Sequence, residues 1–185
     1  MIDLREKFVR LFVNDTRAAE IAEAAAVLPL MFMMLLGIFW FGQAFSLYGA
    51  ITRAAQEGAR AGAAPPCTTC GTTVTNTLLA TQAATAVTTA LKASNLDPAQ
   101  MQSPSPPVFT TSQQCTGFVE SAGCGATGAA CVQLPVQLLT TAQGGGECGI
   151  SVYFQYPFKF WLPFTSFNNQ QILLTASARV RIETR

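Results

Sequence analysis

Histidine is absent from this sequence. That absence removes the usual proton shuttle, the commonest metal ligand and every Ser-His-Asp or Cys-His arrangement. Charge is almost as scarce. Only 11 % of the 185 residues are charged and the net charge is +1, so there is no basic surface to neutralise phosphates, which argues against nucleic-acid binding. The acids of the C-terminal part, Asp97, Glu120, Glu147 and Glu183, are too scattered to form a hydrolytic carboxylate pair. With no catalytic set in view, the chain reads as a non-enzymatic protein that needs no cofactor and no metal.

Two further absences are local. No charge occurs from Ala24 to Thr52, a run of 29 residues bounded by Glu23 and Arg53. About 20 apolar residues cross the hydrocarbon of a bilayer as a helix, so this run is long enough to span one. Arg5, Lys7, Arg10 and Arg17 precede it, and only Arg53 and Arg60 follow closely. The excess of positive charge puts the N-terminus in the cytoplasm and residues 61–185 outside. The run is too long for an ordinary cleaved signal, so it is expected to be retained. No cysteine precedes Cys67. Cys67, Cys70, Cys115, Cys124, Cys131 and Cys148 all follow the span, an even number that points to disulfides formed in an oxidising compartment. Six cysteines allow 15 pairings, and spacing does not choose among them. Cys67-Thr68-Thr69-Cys70 has redox-motif spacing, but it follows prolines instead of a strand, so a structural disulfide is the better reading.

The expected organisation is a leader or cytoplasmic segment (1–18), a membrane and stalk helix (19–64) and an exported α+β head (65–185). Alanine-rich sequence from Ala18 favours helix, and Pro65 and Pro66 stop it. Continuous helix to about Gly62 would make a rod roughly 65 Å long. Gly58 and Gly62 form a Gly-x-x-x-Gly pair. It suits helix packing in an assembly, or it belongs to a loosely constrained stalk. Leu79, Ala83, Ala86, Val87, Ala90 and Leu91 form one stripe of a second helix, capped by Thr72 or Thr73 and ending near Asn95 and Pro98. Residues 97–130 read as loop with a short strand near 107–112, held by covalent ties.

The last third alternates. Val132, Leu134, Val136 and Leu138 make one strand, which Pro135 marks as an edge. Ile150, Val152, Phe154, Tyr156 and Phe158 make a second, and Ile172, Leu174, Ala176, Ala178, Val180 and Ile182 a third. Period-two patterning of this kind predicts an antiparallel sheet of three or four strands with one wet face, on which the second helix lies. Between the last two strands Phe160, Trp161, Phe164 and Phe167 cluster. They either close the core or form an apolar rim for a partner or a membrane surface.

The run RAAEIAEAAAVLPLMFMMLLGIFWFGQAFSLYGAITRAAQEGARAGA resembles the N-terminal helix of TadE-like proteins, the minor pilin or pseudopilin family of the tight adherence (Flp-type) pilus system. Arg17, Glu23, Pro29, Gly37, Phe39, Phe41, Gly42, Glu57, Gly58, Ala59 and Arg60 stand at the family's pattern positions. ISVYFQYPFKFWLPF and ILLTASARVRIE look like the family's closing hairpin. The resemblance, which has no counterpart for the Cys-rich middle, implies a pilin-like fold in the bacterial inner membrane with a periplasmic head, and incorporation into a surface fibre. It implies other pilin-type subunits, inner-membrane assembly proteins, a prepilin peptidase and membrane lipid as partners. The peptidase would cut between Ala18 and Ala19, making Glu23 the fifth mature residue. The family usually has glycine where Ala18 stands. Glu23 would then pair with the new amino group of Ala19 or of a neighbouring subunit; otherwise it is a first-turn glutamate facing water. The alternative to a filament subunit is a stationary anchored scaffold that recruits periplasmic partners through its aromatic loop.

Overall fold

The computed structural model describes residues 16–64, 75–103, 114–121, 123–139, 147–159 and 171–182. In chain order these hold helix α1 (Thr16–Ala63), helix α2 (Asn76–Ala93), a 3₁₀ turn (Pro98–Gln100), and strands β1 (Gln114–Glu120), β2 (Cys131–Leu139), β3 (Glu147–Lys159) and β4 (Gln171–Arg181). The architecture is α+β, with one antiparallel four-stranded sheet in the order β1-β2-β3-β4. By its contacts the chain separates into two units, Met1–Ala44 and Phe45–Arg185. The last turns of α1 therefore belong with the head.

Those turns supply part of its core. Ile51, Ala54, Ala55 and Ala59 are buried together with Leu79, Ala83, Val87 and Leu91 of α2 and Ile150, Val152 and Phe154 of β3. Alanine explains how two helices and a sheet come so close: small side chains let backbones approach. At two points even alanine is too large. A Cβ on Gly58 would overlap Val87 Cγ2 and come within 3.1 Å of the Ala83 carbonyl oxygen. One on Gly62 would overlap Ile150 Cδ1 and lie 2.9 Å from Ala83 Cβ. The close approach read from the Gly58-x-x-x-Gly62 spacing is present, but within the chain, against α2 and β3. It is neither the packing of separate molecules nor a loose stalk. Gly62→Leu forces four carbons into this contact. Overpacking costs about 1–3 kcal/mol against a helix-propensity gain below about 1 kcal/mol. A net loss of about 1–2 kcal/mol is expected, read as a lowered denaturant midpoint, with Gly62→Ala losing less.

Helix α2 begins at Thr75, whose hydroxyl accepts from the Leu78 amide at 3.3 Å; this corrects the expected cap at Thr72 or Thr73, which lie outside the described residues. Thr75 stands immediately before the helix with extended backbone, so its hydroxyl is the one placed to meet the orphan amides of the first turn. The helix closes with the Leu96 amide donating to the Leu91 carbonyl at 2.9 Å, across Asn95 at φ 57°. A left-handed residue followed by this six-residue bond is the usual helix C-terminal lock.

Two strand readings change. Pro135 does not mark an edge, because β2 lies between β1 and β3. Between Gln133 and Val136 the β2–β3 register shifts, Leu134 and Pro135 of β2 facing Ile150 alone, and Pro135 sits inside that bulge, where no ladder amide is required. The Leu134–Pro135 peptide is cis. Part of the expected 97–130 loop is strand β1, concealed by Gly117 at φ 82° and by a register shift between Gln114 and Val119. The short strand expected near 107–112 lies outside the described residues.

On β3 the expected inward residues Ile150, Val152, Phe154, Tyr156 and Phe158 are buried. The Tyr156 hydroxyl accepts from the Asp97 amide at 3.2 Å, fastening the segment after α2 to the sheet. Burial raises the phenol above its ordinary pKa, partly countered by that hydrogen bond. A raised folded value means the contribution is whole below the unfolded pKa of about 10 and is lost as pH climbs through the folded value. Alkaline unfolding is thus expected to begin above about pH 10, and Tyr156→Phe to flatten the fall while costing about 1 kcal/mol at neutral pH from the orphaned amide. Urea melts at pH 7 and pH 11 measure both.

Candidate assembly helix

The sequence dictates α1 directly. Alanine-rich and straight-chain residues favour helix, no charge interrupts Ala24–Thr52, and Pro29 is carried inside without ending the helix. From Ile21 to Phe45 this helix keeps large apolar side chains on the outside. Ile21, Leu28, Leu30, Met31, Phe32, Met33, Met34, Leu35, Ile38, Phe39, Phe41 and Phe45 are all more than half exposed. Among the described residues nothing covers this run, and a contiguous apolar surface of this kind suits lipid or other helices. Its stretch Glu20–Ala63 has mean hydropathy 2.2 over its most apolar window and is long and apolar enough to cross a membrane. Phe39 and Trp40 meet edge to face with ring centroids 5.8 Å apart, stiffening one flank of the run.

Glu23 is exposed near the start of this helix, one turn beyond Ala19. Ala18 and Ala19 lie in its first turn.

Two disulfides are defined, Cys115–Cys148 and Cys124–Cys131. Cys115–Cys148 joins β1 to β3, strands that are not neighbours, and so pins the irregular start of β1 across the sheet. Cys67 and Cys70 lie outside the described residues, as do Phe160, Trp161, Phe164 and Phe167. Glu120, Cys124 and Cys131 come within metal-ligand distance of one another, but both sulfurs belong to one disulfide and are not thiolates.

An open groove of about 770 Å³ runs between α1 and α2, with Glu57 and Arg60 on one side and Thr81, Thr85, Thr89 and Ala90 on the other. Thr81, Thr85 and Thr89 each donate their hydroxyl to a carbonyl of their own helix, at 2.8–2.9 Å. The hydroxyls on this exposed face are thus engaged within their own helix. Glu57 and Arg60 stand 3.9 Å apart, both exposed, a contact of little energetic weight. Sequence reasoning missed the β1 disulfide partner and the Gln133 amide, 3.2 Å from Glu120 on the face of the sheet away from the helices. The polar residue Gln133 lies at an inter-strand position that periodicity assigns to solvent, yet it is buried.

Together these features define a helix-anchorable protein with a disulfide-tied α+β head. Residues 18–60 match the model of the family described as TadE-like protein. The matched segment covers most of α1, including the exposed apolar run and Glu23, so the likeness to that family rests on this helix. Neither the curated proteins nor the solved structures give a match to the chain.

Proposed function

We propose that this chain is a minor-pilin-like, non-enzymatic subunit of a tight adherence pilus or related secretion machine. The observation that carries this reading is the coincidence of the TadE-like match, residues 18–60, with the helix whose apolar surface is uncovered. In this reading α1 holds the chain in the inner membrane with its N-terminus in the cytoplasm, while the head folds and forms its disulfides in the periplasm. A prepilin peptidase cuts between Ala18 and Ala19. Glu23 then lies one turn from the new amino group, where a carboxylate offsets the cost of placing either charge at the membrane edge. Assembly exchanges lipid around α1 for the helices of other pilin-type subunits, a transfer between two apolar surroundings that needs little free energy apart from packing.

Mass spectrometry of sheared surface fibres tests this. Recovery of the chain with Ala19 as its first residue is the expected result. Exclusive recovery from the inner membrane with residues 1–18 attached would instead favour an anchored scaffold. Glu23→Ala is expected to reduce the fibre-associated fraction by about tenfold if its pairing is worth about 1.4 kcal/mol.

A further inference from the structure

The Cys124–Cys131 disulfide lies beside a carboxylate. Glu120 and the two sulfurs come within 4.8 Å of one another, and the Gln133 amide donates to the same carboxylate at 3.2 Å. The two sulfurs differ in access. Cys124 is half-buried, whereas Cys131, the first residue of β2, is 1 % exposed.

The turn between these cysteines is held by more than sulfur. The Cys124 amide donates to the Ser121 carbonyl at 3.1 Å, and the Ser121 hydroxyl accepts from the Val132 amide at 2.9 Å. On the other side the Gly128 amide donates to the Met101 carbonyl at 2.7 Å, while the Ser103 amide and hydroxyl donate to the Ala126 and Ala129 carbonyls. Gln102 between them pairs with Gln155 of β3. Opening the bridge therefore leaves the turn fastened to the sheet, with the two cysteines still side by side on Cα atoms 4.2 Å apart.

We propose that Cys124–Cys131 is a thiol-exchange site of the folded head, that it takes cationic or uncharged thiols in preference to anionic ones, and that Glu120 sets this preference. The reaction is a displacement. An incoming thiolate approaches along the S–S axis and needs room behind the sulfur it attacks, which Cys124 offers and Cys131 does not. A bond forms from the reagent sulfur to Cys124 Sγ as the Cys124–Cys131 bond breaks, and the electron pair of that bond leaves on Cys131 Sγ. The Cys131 thiolate then takes a proton from water, or attacks Cys124 Sγ, expels the reagent as its thiolate and remakes the bridge. Its position beside Cys124 favours the second course.

Negative charge thus arrives with the reagent, spreads over three sulfurs and ends on Cys131, next to Glu120. Glu120 is exposed, so the dielectric around it is close to that of water. At 4.8 Å in such surroundings one unit charge shifts an equilibrium for another by about fourfold. A carboxylate carried by the reagent adds a second repulsion. All these residues belong to the head, so the site stands or falls separately from the pilus reading.

The test uses the full-length chain in an uncharged detergent without denaturant, treated separately with cysteamine, 2-mercaptoethanol and 3-mercaptopropionate. Samples are quenched by alkylation, adducts are placed by peptide mass spectrometry, and each rate is normalised to that of the same thiolate with an uncharged dialkyl disulfide. Cysteamine should react fastest and 3-mercaptopropionate slowest, with the first adduct on Cys124. Glu120→Gln should raise the 3-mercaptopropionate rate at least fourfold and narrow the spread between the two charged thiols at least twofold. Molar salt should narrow the spread in the parent chain too, a control free of any effect of substitution on folding. A first adduct on Cys131, a bridge that opens only in denaturant, or a spread that neither Glu120→Gln nor salt alters would each overturn the proposal.

Discussion

Leu35→Arg together with Ile38→Arg is expected to remove the chain from the membrane. Ten residues between Val27 and Phe45 are Val, Leu, Ile or Phe, each favouring insertion by about 0.3–0.6 kcal/mol, for a sum of about 3–6 kcal/mol. One arginine at the centre costs about 2.5–3.5 kcal/mol, which the rest of the run still meets. Two cost about 5–7 kcal/mol and reverse the sign. Either single variant should therefore remain largely in the carbonate-resistant pellet, and the double variant should leave it. Because the head then stays in the reducing cytoplasm, Cys115 and Cys148 of the double variant should also react with a thiol-alkylating reagent. If the double variant stays membrane-bound with oxidised cysteines, α1 is not what holds the chain in lipid.

Replacing Cys115 and Cys148 with alanine is expected to cost the head about 3–4 kcal/mol. The bond closes a separation of 33 residues, and the chain-entropy relation assigns a loop of that size about 3.7 kcal/mol. The Cys124–Cys131 separation of 7 gives about 2.3 kcal/mol by the same relation. The order matters more than either value, because a purely local role for the disulfides would make the two losses equal. β1 has the most to lose. Its start departs from the β2 register, so it depends on the sulfur bridge to β3 more than on ladder hydrogen bonds. Thermal melts of the full chain in detergent should show a fall on the order of 15 °C for the Cys115–Cys148 pair and a smaller one for Cys124–Cys131.

The parts of the fold that were legible in the sequence are those with a period. Val152, Phe154 and Tyr156 point inward because alternate residues of a strand must, and Leu79, Ala83 and Val87 share a helix face for the same kind of reason. What escaped depends on events between elements. Pro135 reads as an edge marker because proline lacks an amide. The structure removes the need for that amide with a bulge, which no local pattern announces. β1 is invisible to alternation because Gly117 and a register shift break its period. Gly58 and Gly62 were recognisable as a site of close approach, but spacing alone does not say which surface approaches. In the fold it is Val87, Ala83 and Ile150 of the same chain. The candidate site was more legible than the head, since an uncharged run of 29 residues needs no tertiary context to be understood.

Protease protection of tags at the two ends is the most direct test of the account, which requires α1 to lie in the inner membrane with the head on its outer side. With protease added to intact spheroplasts, an epitope at the C-terminus, beyond Arg185, should be lost while one placed before Met1 survives until the membrane is opened. Survival of the C-terminal epitope under the same treatment, with loss only after lysis, would place the head in the cytoplasm and contradict it.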